Sequence, residues 1–173
     1  MNYEKLLEKR YSKETIMAIA DFLVENPDKL KGYIMMIQTS EKAMAQRAAW
    51  ALGHAGVASS TLLLPHLPAL LKLVEKPIHD SVSRNIYRTL QYMKVPEEYE
   101  GTAYDLCIRD LSDPGQPIAV KCFAMTTAFN ISKKYPELQP ELKMVIEENY
   151  KNSSAGYKSR ARKILPNLTT KVL

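Results

Sequence analysis

The run Arg47-Ala48-Ala49-Trp50-Ala51-Leu52-Gly53 constrains the fold more than any other segment of the chain. Three alanines in one helical stretch let a neighbouring helix approach closely. Trp50 and Leu52 are the side chains available to fill the space between helices, and Gly53 and Gly56 are placed to loosen and end the helix. The pattern recurs at a fixed offset. Thirty-eight residues beyond Met44, Ala48 and Leu52 stand Val82, Ile86 and Leu90. A further 36 residues from Val82 stands Ile118, and Ile118, Cys122, Met125 and Phe129 continue a helical stripe at spacings of four, three and four. A period of this length, built from helix pairs, marks a stacked array in which each pair buries its apolar face against the next. The repeat is loose, since Arg88 takes the place of Trp50.

The rest of the chain reads as helices separated by proline, asparagine and serine. Ser12 is the expected N-cap of a helix through about Val24, with Ile16, Ile19, Ala20 and Leu23 as its apolar stripe. Asn26-Pro27 breaks it, and Leu30, Ile34 and Ile37 mark a second helix. Ser40 is expected to cap the helix that carries Trp50 and ends near His54. Pro65 opens its partner, with Leu67, Leu70, Leu71 and Val74 on one face. Asp80 or Ser81 caps the next helix. Pro96-Glu97-Glu98 is a helix start, with proline in the first turn and acids at the positive end of the dipole. Asp113-Pro114-Gly115 is a turn, and Pro117 to Lys134 is apolar on two sides, as a sandwiched helix should be. Pro136 starts a further helix through Leu138, Leu142, Val145 and Ile146. Tyr157 to Leu165 closes the chain.

With 173 residues, 46% apolar and 25% charged, the chain is long enough to bury one substantial core, and a single domain over 1–173 is expected. The first ten residues lack the apolar core of a signal peptide, and the apolar stretch from Leu62 to Val74 is interrupted by Pro65, His66, Pro68 and Lys72. No membrane segment is expected. Cys107 and Cys122 read as reduced thiols on apolar helix faces, which suits the cytoplasm. Neither CxxC nor HxxxH spacing occurs, so no metal ligands are assigned.

No catalytic or cofactor-binding residue is assigned either. His79-Asp80-Ser81 contains the residue types of a hydrolytic triad, but adjacent positions in one turn do not arrange nucleophile, base and orienter, and helix capping is the reading adopted. His54 and His66 are placed at helix ends, Trp50 in the core, and Tyr87, Tyr99 and Tyr104 at the core edge. Charge is segregated. Residues 1–152 hold 19 basic and 19 acidic side chains, and the net charge of +5 lies wholly in residues 153–173, as Lys158, Arg160, Arg162, Lys163 and Lys171.

By these marks the chain resembles the HEAT/armadillo-like repeat superfamily over nearly its whole length. It looks like a family of short bacterial HEAT-repeat proteins through Arg47 to Gly53, Pro77-Ile78-His79-Asp80, Val120 to Met125, Lys134 to Leu138 and Ser159 to Leu165. Some such chains carry the label adenylosuccinate lyase. The signature loop of those lyases has no counterpart here, because neither Ser59-Ser60 nor Ser153-Ser154 is followed by its pattern. The resemblance implies an all-α, right-handed superhelix of about four helix pairs plus a C-terminal capping helix, with the second helix of each pair lining a concave binding surface. On those second helices, residues 29–38 and 65–76 hold four lysines and one acid, whereas 97–111 and 137–151 hold nine acids and three bases. A groove that tracks nucleic acid should be positive along its length. The expected function is therefore a non-enzymatic module that binds protein or peptide, with Lys72 and Lys76 at one end and Asp105, Glu141 and Glu148 at the other. The alternative is a nucleic-acid-binding protein similar to the HEAT-fold alkylpurine DNA glycosylases, contacting phosphate through Lys158, Arg160, Arg162 and Lys163, with Arg84, Arg88 and Lys121 in support. Open end faces would also allow self-association.

Overall fold

The computed structural model describes residues 2–8 and 12–168. Among them are ten α-helices, four short 3-10 segments and no strand. The helices are α1 (Tyr3–Glu8), α2 (Lys13–Glu25), α3 (Leu30–Thr39), α4 (Lys42–Ala58), α5 (Leu67–Glu75), α6 (Asp80–Leu90), α7 (Glu97–Ser112), α8 (Ile118–Ser132), α9 (Gln139–Tyr150) and α10 (Ala155–Ile164). They fall into two compact units, residues 1–94 and 95–173.

In the first unit α4 is central, packed against α2, α3 and α6. Ala45, Ala48, Ala49 and Ala51 are all buried, as the close approach of helices requires. The two glycines do not end this helix, which runs through both of them to Ala58. They serve the same close approach. A Cβ on Gly53 would meet Asn85 Oδ1 at 2.6 Å, and one on Gly56 would meet Leu63 Cδ1 at 2.7 Å and overlap Thr89. Glycine here is set by the contact of α4 with α6, not by a turn. The expected Ser40 cap is also corrected: Ser40 Oγ donates to Met36 O at 2.6 Å and so closes the end of α3, while Glu41 precedes α4 without a side-chain cap. Ser12 does cap α2, accepting from the Thr15 N–H at 3.2 Å. Pro65 lies inside a 3-10 segment, Ser60–His66, ahead of α5.

Helix α1 had no counterpart in the sequence reading. Leu7 is fully buried, and Arg47 of α4 donates to Leu7 O at 2.6 Å, holding the C-terminal end of α1. Arg47 is thus a fastening of the fold. Trp50, expected in the core, is half-buried, with its ring 6.1 Å from that of His54.

In the second unit α8 packs against α7, α9 and α10. Of the expected stripe Met125 is fully buried, whereas Ile118 is exposed and Cys122 and Phe129 are half-buried; Val120, Ala124 and Ala128 are fully buried beside Met125. The true register therefore keeps the 38-residue step from Val82, Ile86 and Leu90. Three buried tyrosines tie elements together, one in the first unit and two in the second. Tyr33 OH donates to Ala48 O (3.1 Å), Tyr104 OH to Leu138 O (2.8 Å) and Tyr157 OH to Ile146 O (3.3 Å). Burial pushes all three phenols well above their ordinary range. Tyr87 is also fully buried, while Tyr99 is half-buried.

Candidate interaction surfaces

The exposed sides of α3 and α5, and of α7 and α9, follow from their apolar stripes. In α3 the buried residues Leu30, Tyr33, Ile34 and Ile37 turn Lys31 and Met35 outward. In α5 the buried leucines and Val74 turn Lys72 outward, with Lys76 exposed just past the helix end. Helices α3 and α5 pack together, so Lys31, Lys72 and Lys76 give the first unit a basic face. His66, at the start of α5, has its pKa lowered by burial and by the Lys31 charge.

The second unit carries the opposite sign. In α7, Glu98, Gly101, Thr102 and Asp105 share one exposed side at helical spacing, and in α9 Glu141, Met144 and Glu148 do the same. The two helices are in contact. Lys134 bridges Glu97 and Glu100 at 3.1 and 3.0 Å, and its own pKa is raised first by the hydrogen bond to Glu100. Lys143 stands 3.9 Å from Glu147. Glu98, Asp105, Glu141 and Glu148 form no ion pair among the described residues. Tyr104 feels Glu141, whose charge, after burial, raises the phenol pKa.

The structure thus leaves Asp105, Glu141 and Glu148 exposed on two helices of the second unit that are in contact, and Lys72 and Lys76 exposed at the C-terminal end of α5 in the first. Sequence reasoning missed two exposed apolar residues: Met144, on the same side of α9 as Glu141 and Glu148, and Met35 of α3, which lines a groove with Glu4 and Glu8 of α1. Met35 and Met144 are each 54% exposed, among the most open apolar side chains of the chain. Their signal was legible as apolar residues lying off the buried stripe of an amphipathic helix.

The basic C-terminal helix divides. Ser154 caps α10, accepting from the Tyr157 N–H. Lys158 lies 5.9 Å from the centre of the Tyr150 ring, and Arg162 Nε donates to Tyr150 OH at 3.1 Å, so both turn toward α9. Arg160 Nη1 donates to Thr126 Oγ1 at 2.6 Å and its guanidinium lies over Phe123 at 5.9 Å. Lys163 is exposed, and Lys171 lies outside the described residues. Aromatic partners for these cations come from α8 and α9, which is why the local sequence, with Tyr157 alone nearby, did not show them. Lys121 is removed from the surface set: it is 4% exposed, its Nζ donates to Asn149 Oδ1 at 3.0 Å, and burial lowers its pKa. Arg84 and Arg88 are half-buried on α6.

His79, rather than Asp80 or Ser81, caps α6. Its Nδ1 accepts from the Ser81 N–H at 3.1 Å and lies 3.1 Å from Ser81 Oγ. The ring nitrogen is thereby committed to a backbone donor. Cys107 is fully buried and burial raises its thiol pKa strongly; Cys122 is half-buried, not core. No group of three or more His, Cys, Asp or Glu side chains among the described residues is placed to hold a metal. Nor is any single helix there long and apolar enough to cross a membrane.

Comparison with curated proteins and with solved structures found no significant match. The family profile of the HEAT repeat domain matches residues 3–168, which spans all ten helices. The chain belongs to the HEAT repeat domain family.

Proposed function

We propose that this HEAT-repeat chain is a non-enzymatic scaffold that binds protein or peptide segments through the exposed faces of α3/α5 and α7/α9. The acidic face of the second unit carries the reading. Glu98, Asp105, Glu141 and Glu148 stand outward on two packed helices without ion-pair partners among the described residues, and Met144 lies between Glu141 and Glu148 on α9. Such a face suits a basic amphipathic segment. Charge attraction directs encounter and register, and a flexible thioether supplies adaptable apolar contact. The exposed lysines of α3 and α5, Lys31, Lys72 and Lys76, suit an acidic segment by charge alone, since Met35 lines a groove shared with Glu4 and Glu8 of α1.

The test is a fluorescence anisotropy titration with a labelled peptide alternating Lys/Arg with leucine, at low and at physiological salt. The charge reversals Asp105→Lys and Glu148→Lys together are expected to weaken binding by about tenfold or more, each tenfold being about 1.4 kcal/mol. Lys72→Glu should leave that peptide's affinity unchanged and weaken an acidic counterpart. Equal affinity for the native protein and the double reversal would contradict the proposal.

A further inference from the structure

Helices α8 and α10 pack side by side and leave an open groove of about 540 Å³ between them. Thr126, Phe129 and Asn130 line it from α8, and Ser159, Arg160 and Lys163 from α10. No carboxylate is among the lining residues. Lys133 adds a third cation at the rim. Its ammonium lies 4.5 Å from the centre of the Phe129 ring and donates to Asn130 Oδ1 at 3.0 Å. Neither Lys133 nor Lys163 forms an ion pair among the described residues.

From this arrangement we infer that the α8–α10 groove is a binding site for a small phosphomonoester. Three cations gathered about a concave surface without acids focus a positive potential there. Arg160 is already oriented by its hydrogen bond to Thr126 and its position over Phe123. A guanidinium fixed before the ligand arrives loses less freedom on binding. A phosphomonoester brings a charge of about −1.5 to −2 and three acceptor oxygens. Those match Lys133, Arg160 and Lys163 in sign, and the Ser159 hydroxyl in donor capacity. The volume lies within the range of about 300–1,000 Å³ usual for small-molecule sites. Phe129 and Ile164 offer apolar surface to the rest of such a ligand. The site uses helices other than α7 and α9, so its success or failure is independent of the acidic face.

The experiment is an amide NMR titration of the full chain with inorganic phosphate, AMP and adenosine. AMP and phosphate are expected to shift residues 126–133 and 156–164 saturably, and adenosine to leave them unmoved. Lys163→Gln and Lys133→Gln, both changes at exposed positions, should each weaken AMP binding by about tenfold while leaving the melting temperature unchanged. Absence of saturable shifts, equal shifts with adenosine, or AMP affinity unaffected by both variants would overturn the inference. A phosphoserine peptide that binds these residues more than about tenfold tighter than AMP would overturn the assignment to a small ligand.

Discussion

Gly56 shows how one residue can carry a fold-level constraint that its chemistry alone misstates. Mid-helix glycine weakens a helix by roughly 0.5–1 kcal/mol relative to alanine, so in isolation Gly56→Ala should stabilise. In the structure the added Cβ would stand 2.7 Å from Leu63 Cδ1 and overlap Thr89. Overpacking of this kind costs about 1–3 kcal/mol. Gly56→Ala is therefore expected to lower stability in urea unfolding; a gain would mean that α4 and α6 do not approach as described. The glycines were legible in the sequence as special positions, but their role was not. A glycine that ends a helix and one that admits a neighbour look alike until the neighbour is known. Two histidines give a pH signature at the same scale. Burial lowers the pKa of His54, helped by Arg88 and Lys13, and burial with Lys31 lowers that of His66. The unfolded chain then binds more protons than the folded one below the ordinary histidine value of about 6.5. Their contribution to stability is complete above that pH and is lost as pH falls through the lowered values. Unfolding free energy measured from about pH 7 to pH 5 should fall more steeply in the native protein than in a His54→Gln/His66→Gln variant; parallel curves would refute this.

At the scale of elements, α8 and α9 are joined by a part-buried polar pair. Lys121 of α8 is 4% exposed and its ammonium bonds to Asn149 of α9, whose amide in turn donates to Val145 O at 2.9 Å. Asn149→Ala leaves a part-buried ammonium without that acceptor, and is expected to cost about 0.5–1.5 kcal/mol. In a Lys121→Met background the same substitution should cost clearly less, because the cation is gone. A double-mutant cycle by chemical denaturation measures the difference, and zero coupling would contradict the described contact. The existence of α8 was plain in the sequence, but its buried face was not. The helix is apolar nearly all round, so a 36-residue step to Ile118 and a 38-residue step to Val120 both fit the pattern. Only packing against α7, α9 and α10 decides between them. Helix starts were legible where one residue type has one role, as at Ser12. They were misread where serine serves the preceding helix, as at Ser40.

For the whole molecule, the sequence already separates charge along the chain, and the structure turns that into faces. Each unit exposes mainly one sign on its second helices: Lys31, Lys72 and Lys76 against Glu75 in the first, and Glu98, Asp105, Glu141 and Glu148 in the second, where Met144 stands among the acids. Counting charges along the sequence found the sign of each face. It did not find which acids are left unpaired, because Lys134 reaches Glu97 and Glu100 from the far end of α8, across a separation of more than thirty residues. Nor did it find the methionines, which composition alone assigns to cores. The HEAT repeat domain accounts for the helical array, and the exposed charge on its helices is what the proposed binding rests on. The most direct measurement labels the eight methionine methyls with carbon-13 and follows their NMR signals while the basic amphipathic peptide is added. The account predicts that Met144 shifts and saturates, and that Asp105→Lys/Glu148→Lys abolishes the Met144 response. A Met35 response with Met144 silent, or no response from either, would contradict it.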